Sequence, residues 1–395
     1  MVPDTTTQMS GPFPFASGQG TVLDDDQKVT PLELFFDLVF VFAMTQVSSF
    51  LAHNLSWIGV VRGVGLLAVL WWAWVTYSWL TNAIPAEEAL PARVVILAAM
   101  AVMLVVALAV PDAFGDDGVL FGLAYFVVRV SHVVLYALAT DPETRAAVIR
   151  LAPGFLLGPA LLIPAGFLDG PLQGLLWVVA LAIDYGVPLV RGVSGFTIQA
   201  GHFVERHRLI LIIALGESIV AIGIGVDSGG LPLSPAVVGA ALSGIVLVIA
   251  LWWLYFDYVV LAAERRLASA TGEARAALAR DSYSYLHLPM VAGIIFVALG
   301  IEQTLAHIGE PLGPVPAVAL GGGSALYLLG HVLFRLRDTG TVSMLRLAVA
   351  GGACLVVPIA TQLAAPLPLA VLVVLFVGLA GVETARSEFR RTVRD

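Results

Sequence analysis

Twelve apolar stretches of about 20 residues recur along this chain of 395 residues, at roughly 31–52, 57–80, 93–111, 118–139, 146–167, 173–190, 207–227, 235–258, 285–307, 314–335, 343–362 and 368–385. Each is long enough to cross about 30 Å of hydrocarbon at about 1.5 Å per helical residue. Lipid offers backbone amides no partner, so such stretches must become helices that satisfy their own donors and acceptors. Composition agrees, with 59% hydrophobic residues, 12% charged and a mean hydropathy of +0.94. The expected fold is all-α: a polytopic membrane protein of about twelve transmembrane helices. Pro153, Pro164, Asp169 and Pro171 are expected to interrupt the fifth and sixth spans.

Loops rich in Arg and Lys stay on the cytoplasmic side. With the N-terminus inside, every basic residue except Arg62 and Arg129 falls in a cytoplasmic segment. The expected location is the inner (plasma) membrane, with many passes and both termini cytoplasmic. The net charge of −8 is spread over the tail, external loops and helix ends, so no nucleic-acid surface is implied and the expected partners are membrane lipids and a small ion or solute. Residues 1–29 lack a basic start and an apolar core, and read as a flexible tail, not a cleaved signal. The single cysteine, Cys354, excludes an internal disulfide and a cysteine metal cluster. No phosphate cradle is present, since no lysine follows the glycine run 321–323 and no strand precedes it; neither cofactor nor metal is expected.

Two carboxylates lie inside hydrophobic helices at matching places. Asp37 leads on to Leu70-Trp71-Trp72, and Glu217 to Leu251-Trp252-Trp253; the separations are 217−37 = 180 and 252−71 = 181. His132 and His331 correspond at 331−132 = 199, Asp184 and Glu383 at 383−184 = 199, and Arg150-Leu151-Ala152 matches Arg346-Leu347-Ala348. Similarity that returns at successive spans points to an internal duplication. The expected organisation is a first six-helix repeat over 30–190, a cytoplasmic linker over 191–204, a second repeat over 205–385 and a basic tail over 386–395. An even number of spans per unit makes the repeats parallel, related by an axis along the membrane normal. The extra length of the second unit falls at about 260–282, which reads as a short charged amphipathic helix.

An ionised carboxylate in the bilayer costs a few kcal/mol on insertion scales (about 2.5–3.5) and persists with a partner, a proton or water. Asp37 and Glu217 are therefore expected to line a central polar cavity, with a bond to Arg62, Arg129 or a helix hydroxyl as the structural alternative. His132, His331 and Arg129 join them as candidate pathway residues, the histidines as proton relays or interhelical bonds. Glu33 completes a capping box, Thr30-Pro31-Leu32-Glu33, and Glu205-Arg206-His207 stands at the mouth of the seventh span as a gate or an ordinary charged helix end. Asp257 and Glu302 have no acidic counterparts and are assigned local bonds. Trp71, Trp72, Trp74, Trp79, Trp252 and Trp253 are expected to anchor the cytoplasmic aromatic belt.

The runs Thr30-Pro31-Leu32-Glu33-Leu34-Phe35-Phe36-Asp37-Leu38-Val39-Phe40, Glu205-Arg206-His207 with Ala214-Leu215-Gly216-Glu217-Ser218-Ile219, and Tyr283-Ser284-Tyr285-Leu286-His287-Leu288-Pro289 together resemble the bacterial low temperature requirement protein A family, over about 30 to 385. The resemblance adds His287 to the gate or helix-end candidates. It departs after the second span, where the family's Asn-x-x-Asp segment is replaced by Asn82-Ala83-Ile84-Pro85. The family's link to growth in the cold is a phenotype and assigns no chemistry.

The expected function is a transporter or channel for a cation, a proton or a small solute, built on the paired intramembrane carboxylates. The major-facilitator signature is missing after the second span, and no nucleotide-binding domain supports primary pumping. A membrane-embedded enzyme acting on a lipid is the alternative, although no acidic or histidine cluster of the usual kind is present and no catalytic residue is assigned. A non-catalytic membrane protein supporting growth in the cold is the third reading.

Overall fold

The computed structural model describes residues 28–84, 87, 89–230 and 232–392. The expected N-terminal tail up to residue 27, and residues 393–395 of the basic tail, lie outside the described residues. Thirteen helices account for nearly all the rest, and the described residues contain no strand, only an isolated bridge between Pro311 and Ala364. They are α1 (Pro31–His53), α2 (Trp57–Ala83), α3 (Leu90–Leu108), α4 (Gly118–Ala139), α5 (Pro142–Ala165), α6 (Gly170–Arg191), α7 (Ala200–Gly229), α8 (Pro235–Asp257), α9 (Val260–Ser269), α10 (Gly272–Ala306), α11 (Pro314–Thr339), α12 (Met344–Ala360) and α13 (Pro366–Thr392). Eleven are long and apolar enough to cross a membrane. Of the twelve spans expected, the exception is α12, with 17 residues, which reaches about 26 Å at 1.5 Å per residue. The chain is a multi-pass, all-α membrane protein.

Helix starts follow local chemistry. Thr30 and Glu33 form the reciprocal capping box at α1, with proline in the first turn. Ser56, Asp141, Ser234 and Ser343 cap α2, α5, α8 and α12 with side-chain oxygens. Pro153, Pro159 and Pro164 do not break α5, nor Pro188 α6. Neighbouring helices can satisfy the carbonyls that an internal proline frees, so the expected interruption shrinks to the turn between Ala165 and Gly170. The segment 260–282 forms α9 and the first turns of α10, which continues through a wide π-helical turn at Ala279–Tyr285. α7 starts at Ala200, earlier than residues 205–207, because Ala200, Phe203 and Val204 bury themselves although Gln199, His202 and Glu205 lower the local hydropathy.

α10 and α11 are the most enclosed spans; α10 packs between α7 and α11 and touches α1, α2, α8 and α13. Glycines allow the closest approach: a Cβ on Gly293 would stand 2.6 Å from Tyr327 N, and one on Gly300 2.6 Å from Leu320 Cα. Backbone contact of this kind is how helices associate where lipid supplies no hydrophobic drive. The glycine run 321–323 thus serves packing, as its sequence suggests.

The aromatic-belt expectation fails for the first set of tryptophans. Trp71, Trp72, Trp74 and Trp79 are buried among helices. Trp71 Nε1 donates to Ser284 O at 2.7 Å, Trp79 Nε1 to Ser284 Oγ at 2.9 Å and Trp74 Nε1 to Asp37 at 2.9 Å. An indole N–H inside a bundle usually finds an acceptor, and α1 and the π-turn of α10 supply it to Trp71, Trp74 and Trp79, while Trp72 stacks its ring on Tyr185 at 4.2 Å between centroids. Trp252 and Trp253 keep exposed faces, as a lipid-facing anchor requires.

Candidate functional site

α1 and α7 run side by side in the same direction, since Glu33 meets His202, Asp37 meets Arg206 and Thr45 meets Glu217. On α1 the residues 33, 37, 45 and 48 fall on one side of a 3.6-residue helix, and on α7 the residues 202, 206 and 217 do the same. The two faces enclose a column of polar side chains between otherwise apolar helices.

Arg206 dominates the end nearest the start of α1. Fully buried, it donates Nη2 to Asp37 Oδ1 at 2.9 Å and holds Nη1 3.7 Å from Glu33 Oε1. Trp74 donates to the same Asp37 oxygen, and its ring lies 5.8 Å from the guanidinium. Glu33 Oε2 accepts from Thr30 N at 2.9 Å and from His202 Nε2 at 3.0 Å. Asn82 fixes that tautomer: its oxygen accepts from Gln199 N, so its amide nitrogen donates to Gln199 O and to His202 Nδ1. With Nδ1 accepting, the ring proton sits on Nε2 and points at Glu33. Capping and ion pairing are therefore both performed by Glu33.

About 12 Å further along, eight residues at 1.5 Å, the column changes character. Glu217, 3% exposed, has no basic side chain in contact; Thr45 Oγ1 stands 2.7 Å from its Oε2, and its Oε1 has no partner. The partner of Asp37 is thus Arg206, and that of Glu217 a helix hydroxyl; Arg62 and Arg129 serve neither. Asp37 and Glu217 share the α1–α7 interface but at different levels, because spatial register joins residues offset by 206−37 = 169 and 217−45 = 172, against 180 in the sequence alignment. Beyond Glu217 comes Glu302 of α10, 8% exposed and close enough for the two carboxylates to repel. Its neighbour Gln303 lines a vestibule of about 490 Å³ with Ser56, Trp57, His307 and Glu310, at the opposite end from Glu33.

The remaining candidates lie elsewhere or at the margins. Arg129 pairs with Asp184 of α6 at 2.7 Å, and Tyr125 donates to the other carboxylate oxygen at 3.1 Å. His132 of α4 packs among Tyr77, Tyr136 and Phe155, with neither ring nitrogen bonded, beside a cavity of about 40 Å³. His331 of α11 accepts Arg346, which also pairs with Glu383 at 2.7 Å. Neither histidine joins the column. His207 donates to Phe203 O and meets Trp74 and His287 edge-on, while His287 donates Nδ1 to Ser282 O and accepts from Tyr255 at 2.8 Å. These two rings form an aromatic wall beside Arg206. Glu205 points away and accepts from Val29 N at 3.2 Å. His202, Asn82, Gln199, Thr45 and Ser48 are not among the candidates the sequence offers; for His202 alone a signal exists, its position one helical turn before Arg206. Among the described residues no group of three His, Cys, Asp or Glu could hold a metal ion.

The family model for the bacterial low temperature requirement A protein matches residues 28–381. An uncharacterized protein, RA0937, of Rhizobium meliloti (strain 1021) is 34% identical over 324 residues, covering 78% of this chain and 76% of that protein. No solved structure matches. The chain belongs to the bacterial low temperature requirement A (LtrA) family.

Proposed function

We propose that the protein is a transporter or channel that moves a cation or a proton along the α1–α7 column, with the start of α1 toward the cytoplasm. The observation that carries this reading is the charge balance. Four buried carboxylates, Glu33, Asp37, Glu217 and Glu302, lie along the column; among the described residues Arg206 and His202 are the basic side chains that contact them, both at one end, while His53 acts on Glu302 from a distance at the other and leaves Glu217 without a basic partner. Burying an ion without a counter-ion is costly, so Glu217 needs a proton or a cation to stay where it is. Glu33, Asp37, Arg206 and His202 close the column at their end with bonds that link α1, α2 and α7, and a conducting state must rearrange them. The vestibule at Gln303 gives water an approach from the other end.

A duplicated origin for α1–α6 and α7–α13 fits two similar locks: Arg129 with Asp184, and Arg346 with Glu383. Each guanidinium also donates toward a carbonyl of its half's second helix, Trp72 O and Leu254 O. The test is flux. Purified protein in liposomes should dissipate an imposed proton or cation gradient, and the Asp37→Asn, Glu217→Gln double variant should not, while eluting as the same folded species. Normal flux by that variant would refute the reading.

A further inference from the structure

We infer that Glu217, Thr45 and Ser48 form a binding site for a monovalent alkali cation between α1 and α7. This deepens the proposed function by naming what the column holds.

The first ground is an oxygen pair with one proton for two bonds. Thr45 Oγ1 lies 3.1 Å from Val41 O and 2.7 Å from Glu217 Oε2. A helical threonine ordinarily returns its proton to the carbonyl four residues back. Here the shorter contact takes the proton to Glu217, so Thr45 gives the buried carboxylate a single neutral donor, and its charge calls for a cation that both oxygens can coordinate.

The second ground is an unused hydroxyl. Ser48 is 4% exposed and its hydroxyl lies close enough to act on the Glu217 carboxylate, yet its Oγ makes no hydrogen bond of ordinary length and angle. Thr304 and Ser324 donate to Gly300 O and Leu320 O, each at 2.7 Å, whereas Ser48, like Ser78, Thr81 and Ser218, makes no such bond; what sets Ser48 apart is its place beside Glu217. Glu217 Oε1 is likewise unpaired. A proton on Glu217 removes its charge but leaves the remaining oxygens unsatisfied. A cation takes several oxygen ligands at once.

Chemistry then selects the ion. All the donors are hard oxygens, which excludes the soft and borderline metals that prefer nitrogen or sulfur. One carboxylate with neutral hydroxyls supplies a single negative charge, matching one positive charge; divalent sites of this hardness draw on more oxygen ligands, commonly several carboxylates. Glu302 stands on the route from the vestibule and attracts a cation toward Glu217.

The test uses radioactive sodium as the probe, with the purified full chain in nanodiscs. Saturable binding of one sodium per chain, displaced by lithium or potassium but not by choline, is expected. Glu217→Gln should weaken it at least about tenfold and Ser48→Ala several-fold. Ser48→Ala removes one oxygen and so keeps the test valid if Glu217→Gln folds poorly. Absence of saturable binding by the folded protein, or unchanged binding by Ser48→Ala and Glu217→Gln, would overturn the site, as would displacement by magnesium at lower concentration than by sodium itself. Gradient-driven flux that continues without sodium binding would sink this site and leave the pathway standing; sodium binding without any flux would do the reverse.

Discussion

Replacing Arg206 by methionine tests whether the closed end of the column is held by charge. The side chain is fully buried, 2.9 Å from Asp37 and 3.7 Å from Glu33, so the change strips two carboxylates of one shared cation. Asp37 keeps only the Trp74 N–H, and Glu33 keeps His202 and Thr30. Removing one partner of a buried pair costs about 3–5 kcal/mol, against about 0.6 kcal/mol for an average interhelical hydrogen bond in a membrane protein. Arg206→Met should therefore lie near the upper figure. Asp37→Asn should cost less, about 1–3 kcal/mol, because Arg206 still faces Glu33 and the amide oxygen still accepts from Trp74. The double variant removes opposite charges together and should be more stable than Arg206→Met alone, a coupling of about 2 kcal/mol in a double-mutant cycle. Reversible unfolding in SDS–detergent mixtures, followed by circular dichroism, measures all three. Additive effects, or an Arg206→Met cost below about 1 kcal/mol, would refute the electrostatic argument.

Glycine substitutions should separate packing from spare space. Gly293→Ala forces a methyl against Tyr327 N and Gly323 O across the α10–α11 contact and should cost about 1–3 kcal/mol, whereas Gly223→Ala meets nothing within 4 Å and should be neutral or stabilising by up to about 1 kcal/mol; the same SDS titration reads both. Asp141 caps α5 just outside its span, accepting from Glu143 N at 3.0 Å and Thr144 N at 3.1 Å. Partial burial pushes its carboxyl up, but the bonds from Thr144 and Glu143 outweigh this and hold it below the ordinary carboxylate range. A lowered folded value means that the contribution is fully present above the unfolded value, about 3.9, and is lost as pH falls through the folded one. Asp141→Ala should cost about 0.5–2 kcal/mol at neutral pH, and Asp141→Asn should keep the cap while removing that part of the acid dependence in a stability–pH profile.

The spans and the capping box were legible because hydropathy over about 20 residues and a four-residue polar signature are local properties. Register between helices is not local. Aligning Asp37 with Glu217 paired residues by their spacing along the sequence, whereas side-by-side packing of α1 and α7 pairs Asp37 with Arg206, so the two carboxylates stand at different depths. Belt positions and core positions carry the same tryptophans, and only the acceptors on Ser284 and Asp37 distinguish them. His202 escaped notice for a physical reason: it lies in the opening turn of a helix whose polar residues look like linker until their partners on α1 and α2 are in place. Glu302, assigned a local bond from sequence, instead joins the column through tertiary packing of α10.

The central claim, that water and ions reach Glu217 from the vestibule, is tested most directly by cysteine accessibility in a Cys354→Ser background. Single cysteines at Gln303, Ser48 and Thr45 sample the column, and others at Phe35, Leu38 and Ile219 sample the exposed apolar faces of α1 and α7. A charged, membrane-impermeant thiosulfonate needs the thiolate, which forms where water reaches. The account predicts modification at Gln303, Ser48 and Thr45 and none at Phe35, Leu38 or Ile219. Cysteines at Ser48 and Thr45 as inert as the one at Ile219, with Gln303 still reactive, would contradict it.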